Sequence, residues 1–137
     1  MAEQLTIGPG TTLTVLSRTE EELVLEARYE GGGSPPPSHL HPAQDEHFEI
    51  LQGAMLAQIG GEEVEARAGG ELEVPRGTAH KMWNAGEEVA VTRWVTSPAG
   101  RTLDWFREIA AALSGEPIGD PATMLDRYGD VFRLVEE

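Results

Sequence analysis

At 137 residues, with 39% apolar and 25% charged content, the chain is large enough for one domain with its own core and too small for two of enzyme size. It has no cysteine, so disulfides, thiolate metal sites and cysteine nucleophiles are excluded, and any bound metal must be held by nitrogen and oxygen. A formal net charge of −14, with Lys81 the only lysine among ten basic residues, makes nucleic acid and anionic membranes poor partners and suits a well-solvated surface. No apolar run is long enough to cross a bilayer, and the stretch from Met1 to Ile7 lacks the basic and apolar regions of a secretory signal. The expectation is one cytoplasmic domain over residues 1–137, with a barrel at about 5–98 and a helical tail at about 101–130.

From Leu5 to about Ser97 the pattern is that of short strands separated by turn residues. Leu13 and Val15 alternate with Thr12 and Thr14. Leu23, Leu25, Ala27 and Tyr29 alternate with Val24, Glu26, Arg28 and Glu30, which predicts half-buried strands. The run from Gly31 through Pro37 cannot join a regular sheet, because proline has no ladder donor and glycine is too free, so it predicts a loop feeding a strand at His39. Glu46, Phe48 and Ile50 share one face of the next strand, and Met55, Ala57 and Ile59 one face of the strand after Gly53. Gly60-Gly61 supplies a hairpin turn to Val64 and Ala66. Leu72 and Val74 lead into the turn Pro75-Arg76-Gly77, His80 begins a returning strand, and Asn84-Ala85-Gly86 turns into Val89 to Thr96. Many short strands at this spacing predict a sandwich or barrel, and no internal repeat is visible.

After Ser97-Pro98-Ala99-Gly100 the texture becomes helical. Leu103, Phe106, Ala110 and Leu113 recur at helical spacing, and Gly115 stands where a C-terminal cap belongs, predicting a helix from about Thr102 to Ser114. A second helix is expected to open at Asp120-Pro121, with Met124 and Leu125 supplying apolar contact and Gly129 ending it. So small a pair must pack on the barrel, on a partner subunit or across a pocket mouth.

The chemistry concentrates in four residues. His39 and His41 are two apart, so on an extended strand their imidazoles leave the same face and can grip one ion. Glu46 and His80 can complete the set, and three of the only four histidines fall at these positions. Imidazole and carboxylate suit divalent iron, manganese, nickel, copper or zinc, and four protein ligands on an octahedral ion leave two positions open for chemistry.

These segments resemble the two sequence motifs of the cupin superfamily. Gly33, His39, His41, Glu46 and Gly53 meet the first (glycine, five residues, His-x-His, three or four residues, Glu, six residues, Gly) at every position. Gly69, Pro75, Gly77, His80 and Asn84 meet the second (glycine, five residues, Pro-x-Gly, two residues, His, three residues, Asn), with fifteen residues between Gly53 and Gly69. The resemblance covers roughly residues 11–98, and such doubly matched spacing is a specific signal. It implies an all-β, cupin-type double-stranded β-helix (jelly-roll) barrel with a short C-terminal helical extension. It also implies His39, His41, Glu46 and His80 as metal ligands, and commonly a homodimer. Compact bacterial cupins of the quercetin-dioxygenase-like group are the most similar in layout.

Other residues are weighed against plainer roles. His47 is expected to face away from Glu46 and sit at the surface, and Asp45 replaces Glu46 only if the strand register slips. Tyr29 lies on an apolar face, where its phenol packs or acts as acid or base. Phe48, Met55, Met82 and Trp94 are core positions that can double as pocket walls. In the last strand, either Ala90, Thr92, Trp94 and Thr96 face inward or Val89, Val91, Arg93 and Val95 do. The second case would offer Arg93 to an anionic substrate. Gly53, Gly69, Pro75, Gly77 and Asn84 are read as structural. The expected function is that of a metal-dependent, dioxygenase-like enzyme acting on a small organic molecule, with Glu46 as ligand or base. The alternatives are a non-redox isomerase, epimerase or lyase, and a non-catalytic module that binds a small ligand.

Overall fold

The computed structural model describes residues 2–115 and 123–135. Two antiparallel sheets face one another. The six-stranded sheet runs β1 (Gln4–Gly8), β2 (Thr11–Arg18), β3 (Leu23–Tyr29), β10 (Ala90–Ser97), β5 (Asp45–Gln52) and β8 (Glu71–Val74) in spatial order. The five-stranded sheet runs β11 (Arg133–Leu134), β4 (His39–Leu40), β9 (His80–Trp83), β6 (Ala54–Ile59) and β7 (Glu62–Arg67). This is the expected double-stranded β-helix.

The inner faces follow from the alternation of apolar residues, because successive side chains on a strand point to opposite faces. Leu23, Leu25 and Ala27 of β3 are fully buried, and Phe48 and Ile50 of β5 join them. The open question about β10 resolves in favour of Ala90, Thr92, Trp94 and Thr96, all buried, while Arg93 lies on the outer face 4.0 Å from Glu26. Trp94 stands opposite Leu25 on one side and Phe48 on the other, which locks the strand register through its largest core side chain. An irregularity in the β2–β3 pairing between Val15 and Ser17 turns Leu16 outward.

The turns use glycine where a side chain is excluded. Gly53, between β5 and β6, has φ +74°, and a Cβ there would lie 2.6 Å from the Val89 carbonyl oxygen. Asn84 is structural, as expected. Its Nδ2 donates to the Glu88 carbonyl at 2.7 Å and lies 3.3 Å from those of Tyr29 and Glu30, while Oδ1 accepts the Gly86 N–H.

Helix α1 (Thr102–Leu113) packs against β1, and the left-handed Gly115 follows its end as a cap residue should. Its buried stripe differs from the expected one. Leu103 and Trp105 are buried, whereas Leu113 is 58% exposed, because the barrel lies under the first half of the helix only. Gln44 fastens the helix start. Its buried Nε2 lies within 2.9 Å of the carbonyls of Pro98 and Ala99 and of the Thr102 hydroxyl.

The expected helix start at Asp120-Pro121 lies outside the described residues. What is described there is one turn, α2 (Met124–Arg127), with Met124 packed inward and Leu125 exposed. Beyond Gly129, where the second helix is expected to stop, the chain returns to the five-stranded sheet as β11, beside β4. No described helix is long and apolar enough to cross a membrane.

Candidate metal centre

The four motif residues converge from both sheets. His39 and His80 are register partners on β4 and β9, which sets their rings 4.3 Å apart, and His41 follows β4 with its ring 5.0 Å from His39 and 5.2 Å from His80. One nitrogen from each of the three lies within 4.8 Å of the others, so the trio can hold a metal ion. Glu46 enters from β5 of the opposite sheet. Its Oε1 is 2.8 Å from His41 Nε2 and 3.0 Å from His80 Nε2.

Each imidazole is oriented through its other nitrogen. His41 Nδ1 lies 2.6 Å from the Val131 carbonyl, His80 Nδ1 3.0 Å from that of Thr78, and His39 Nδ1 3.4 Å from that of Pro37. A carbonyl can only accept, so Nδ1 carries the proton and Nε2 of a neutral ring presents a lone pair inward. This is the pattern in which backbone carbonyls fix metal-ligating histidines. The consequence falls on Glu46. Its Oε1 is buried and receives no hydrogen bond, although two imidazole nitrogens approach it within 3.0 Å. An oxygen facing two lone pairs is relieved by a shared proton or by a cation, and a divalent ion supplies the larger charge.

The protonation equilibria follow the same logic. Burial resists charging Glu46, but His41 and His80 outweigh it and hold the carboxyl well below its ordinary range. Burial likewise opposes the His41 imidazolium, while the negative charge of Glu46 beside it and the Val131 carbonyl push its pKa up. His39 is pushed down to about 4, by burial first and then by His80 and His41.

The second motif's turn is tied directly to the first. The Gly77 N–H donates to the His41 carbonyl at 2.8 Å, and Asp45 accepts from the Arg76 N–H at 2.8 Å as well as from its guanidinium. Asp45 therefore braces the turn at the surface and does not enter the centre. His47 lies on the outside between Glu71 and Glu73, as expected.

A cavity of about 830 Å³ adjoins the centre. Phe48, Met82, Trp94, Trp105, Phe106 and Phe132 form much of its wall, and among the described residues no lysine or arginine lines it. Phe48, Met82 and Trp94 thus serve as both core and wall, whereas Met55 is core alone. Tyr29 also lines the cavity, and burial drives its hydroxyl pKa upward against hydrogen bonds with Thr92 and Trp94. Arg93, outside the barrel, has no part in it. Trp105 and Phe132 carry no signal in the sequence, since one sits off the expected helix stripe and the other precedes a two-residue strand too short to show periodicity.

Residues 25–96 match the family described as "Cupin domain". The chain belongs to the cupin family. Among curated relatives of this cupin, Oxidoreductase macE of Penicillium terrestre is 31% identical over 110 residues, covering 77% of the chain and 39% of the relative. Oxidoreductase iacF of Pestalotiopsis fici is 39% identical over 67 residues, 46% of the chain and 33% of the relative. The tetracenomycin polyketide synthase protein TcmJ of Streptomyces glaucescens is 27% identical over 97 residues, 71% and 62% of the respective chains. The cupin therefore spans between a third and about three-fifths of these proteins. Among solved structures, KdgF from Halomonas sp. superposes with a TM-score of 0.67 at 18% identity, covering 74% of this chain and 90% of that one. An RmlC-like cupin from Shewanella frigidimarina superposes at 0.66 with 19% identity, covering 74% and 88%. At such identities the superpositions speak for the fold.

Proposed function

We propose that this cupin is a metal-dependent, dioxygenase-like oxidoreductase acting on a small organic molecule, with His39, His41, Glu46 and His80 holding a divalent transition metal. The carrying observation is the buried Glu46 Oε1, which faces two imidazole nitrogens with no hydrogen bond of its own. The oxidoreductase names of the macE and iacF relatives support the class of reaction.

A bound iron, manganese, nickel, copper or zinc ion would supply Lewis acidity toward a substrate enol or hydroxyl and, if redox-active, a route to dioxygen. The chain's own residues do the rest. Carbonyls of Pro37, Thr78 and Val131 hold the three imidazoles in the tautomer that leaves Nε2 free to coordinate. Glu46 serves as ligand or, by rotating away, takes the substrate's proton at Oε1. The aromatic wall offers stacking surface, and the lack of a lining cation among the described residues suits an uncharged, ring-bearing substrate better than a phosphorylated one.

A second reading keeps the metal as a Lewis acid without redox, in an isomerase, epimerase or lyase. Tyr29 favours it. Its phenol retains its proton and so can donate a hydrogen bond to a substrate oxygen at the cavity wall. A third reading is a non-catalytic module that binds a small ligand.

The test begins with elemental analysis of protein purified without a metal-affinity tag, beside a His39→Ala, His80→Ala double variant. About one equivalent of metal lost in the variant supports the centre. Oxygen uptake with a panel of uncharged phenols and enols then separates the readings. Uptake dependent on iron, manganese, nickel or copper supports the dioxygenase, and turnover without uptake moves the assignment to the Lewis-acid enzyme. No metal after reconstitution with each ion would sink both enzyme readings.

A further inference from the structure

We propose that the C-terminal strap Tyr128–Val135 is a working part of the metal centre, in which the Val131 carbonyl and the Phe132 ring are positioning groups for His41 and His39. The inference rests on reading the histidines and Glu46 as that centre, and it adds an element lying outside both sequence motifs.

Val131 is 1% exposed and its carbonyl meets His41 Nδ1 at 2.6 Å across ninety residues of chain. The acceptor is backbone, so the path of the strap and not the identity of the side chain sets the imidazole's tautomer and orientation. His39 needs a different support. Its own carbonyl contact is long, at 3.4 Å, and ring stacking supplements it. Phe132 lies nearly parallel to His39, centroids 4.6 Å apart and planes at 20°, and on its other side stacks on Trp105 at 4.9 Å and 26°. His39, held between β4 and this stack, has little freedom to turn its Nε2 away from the centre.

The strap is fastened along its length. Arg133 and Leu134 pair with Leu40 and His39, and the Val135 N–H donates to the Ser38 carbonyl at 3.0 Å. At the other end Arg101 of the α1 entrance ion-pairs with Asp130, hydrogen-bonds to the Arg127 carbonyl and lies 4.6 Å over the Tyr128 ring. Tyr128 and Val131 share a buried cluster with Trp105 of α1. The helix and the strap are thus one clamp, and its inner surface is the outer support of two imidazoles.

Two measurements on the full chain test this. Co²⁺ affinity is measured by chelator competition for wild type, Phe132→Ala, Phe132→Tyr and Leu125→Ala, with far-UV circular dichroism to verify the fold. Phe132→Ala is expected to weaken binding about ten- to a hundredfold, as loss of an orienting partner does. Phe132→Tyr keeps the stack and Leu125→Ala alters an exposed side chain outside the strap, so both should stay within about threefold of wild type. Equal affinity in wild type and Phe132→Ala overturns the proposal. The second measurement uses metal-free protein. Long-range ¹H–¹⁵N correlations, recorded at a pH high enough for His41 to be neutral, report the imidazole tautomers in wild type and in an Arg101→Ala, Val135→Pro variant that releases both ends of the strap. His41 is expected as the Nδ1–H tautomer in wild type and as predominantly Nε2–H in the variant, and an unchanged tautomer overturns the proposal. If wild type fails to bind Co²⁺ while the tautomer responds to the strap, the metal reading is lost and the positioning of His41 stands.

Discussion

Glu46 Oε1 lies 3.0 Å from His80 Nε2 across the barrel interior, the carboxylate carried by one sheet and the imidazole by the other. The contact joins the two halves of the site, and Glu46→Gln separates charge from shape there. An amide of nearly the same size is expected to lower Co²⁺ or Zn²⁺ affinity at least about tenfold, because the one buried acidic side chain among the described residues is gone. Chelator competition measures it, and an unaltered affinity would remove Glu46 from the ligand set.

The neutral His39 ring has a consequence for stability. Its folded pKa of about 4 lies below the ordinary 6.5, so as pH falls through that interval the unfolded chain takes up a proton that the folded one refuses. This term is absent above about pH 6.5, destabilises progressively down to about pH 4 and is constant below. In metal-free protein, His39→Gln should lose it. The wild type's melting temperature is expected to fall more steeply than the variant's between pH 7.5 and 5, and parallel curves would refute the burial argument.

Gln44 is predicted to be a stability residue with no chemical role. Gln44→Ala strands the carbonyls of Pro98 and Ala99 and the Thr102 hydroxyl, at a cost of about 2 kcal/mol. Urea titration should show that loss as a lower midpoint, with metal stoichiometry retained. A variant as stable as wild type would mean that water replaces the amide.

Gly53→Ala places a methyl at φ +74° and 2.6 Å from the Val89 carbonyl oxygen, so both backbone strain and a clash oppose it. A destabilisation of roughly 2 kcal/mol or more is expected by the same titration. A loss under about 0.5 kcal/mol would show that the β5–β6 turn can shift to accommodate it.

Much of the site was legible because its determinants are local. A two-residue spacing on extended chain puts His39 and His41 on one face, and the alternation of Glu46, Phe48 and Ile50 places the carboxylate with the core side chains. The turn at Pro75-Arg76-Gly77 delivers His80 at a fixed distance from the strand before it. Where local patterns are ambiguous, tertiary packing decides. Both faces of β10 carry apolar residues, so alternation alone could not orient Arg93. The apolar spacing in α1 extended to Leu113, though nothing local says where the barrel beneath it ends.

By itself the sequence determined the strand faces, the turn positions and the set of nitrogen and oxygen donors available to a metal, since these follow from side-chain period, backbone freedom and the absence of cysteine. Only the tertiary structure decided that the chain after Gly129 returns beside β4, that Val131 presents its carbonyl to His41, and that Trp105 and Phe132 close the aromatic wall. A backbone carbonyl has no residue-type signature, and a contact spanning ninety positions depends on how two sheets and a helix pack, which no window of local sequence encodes.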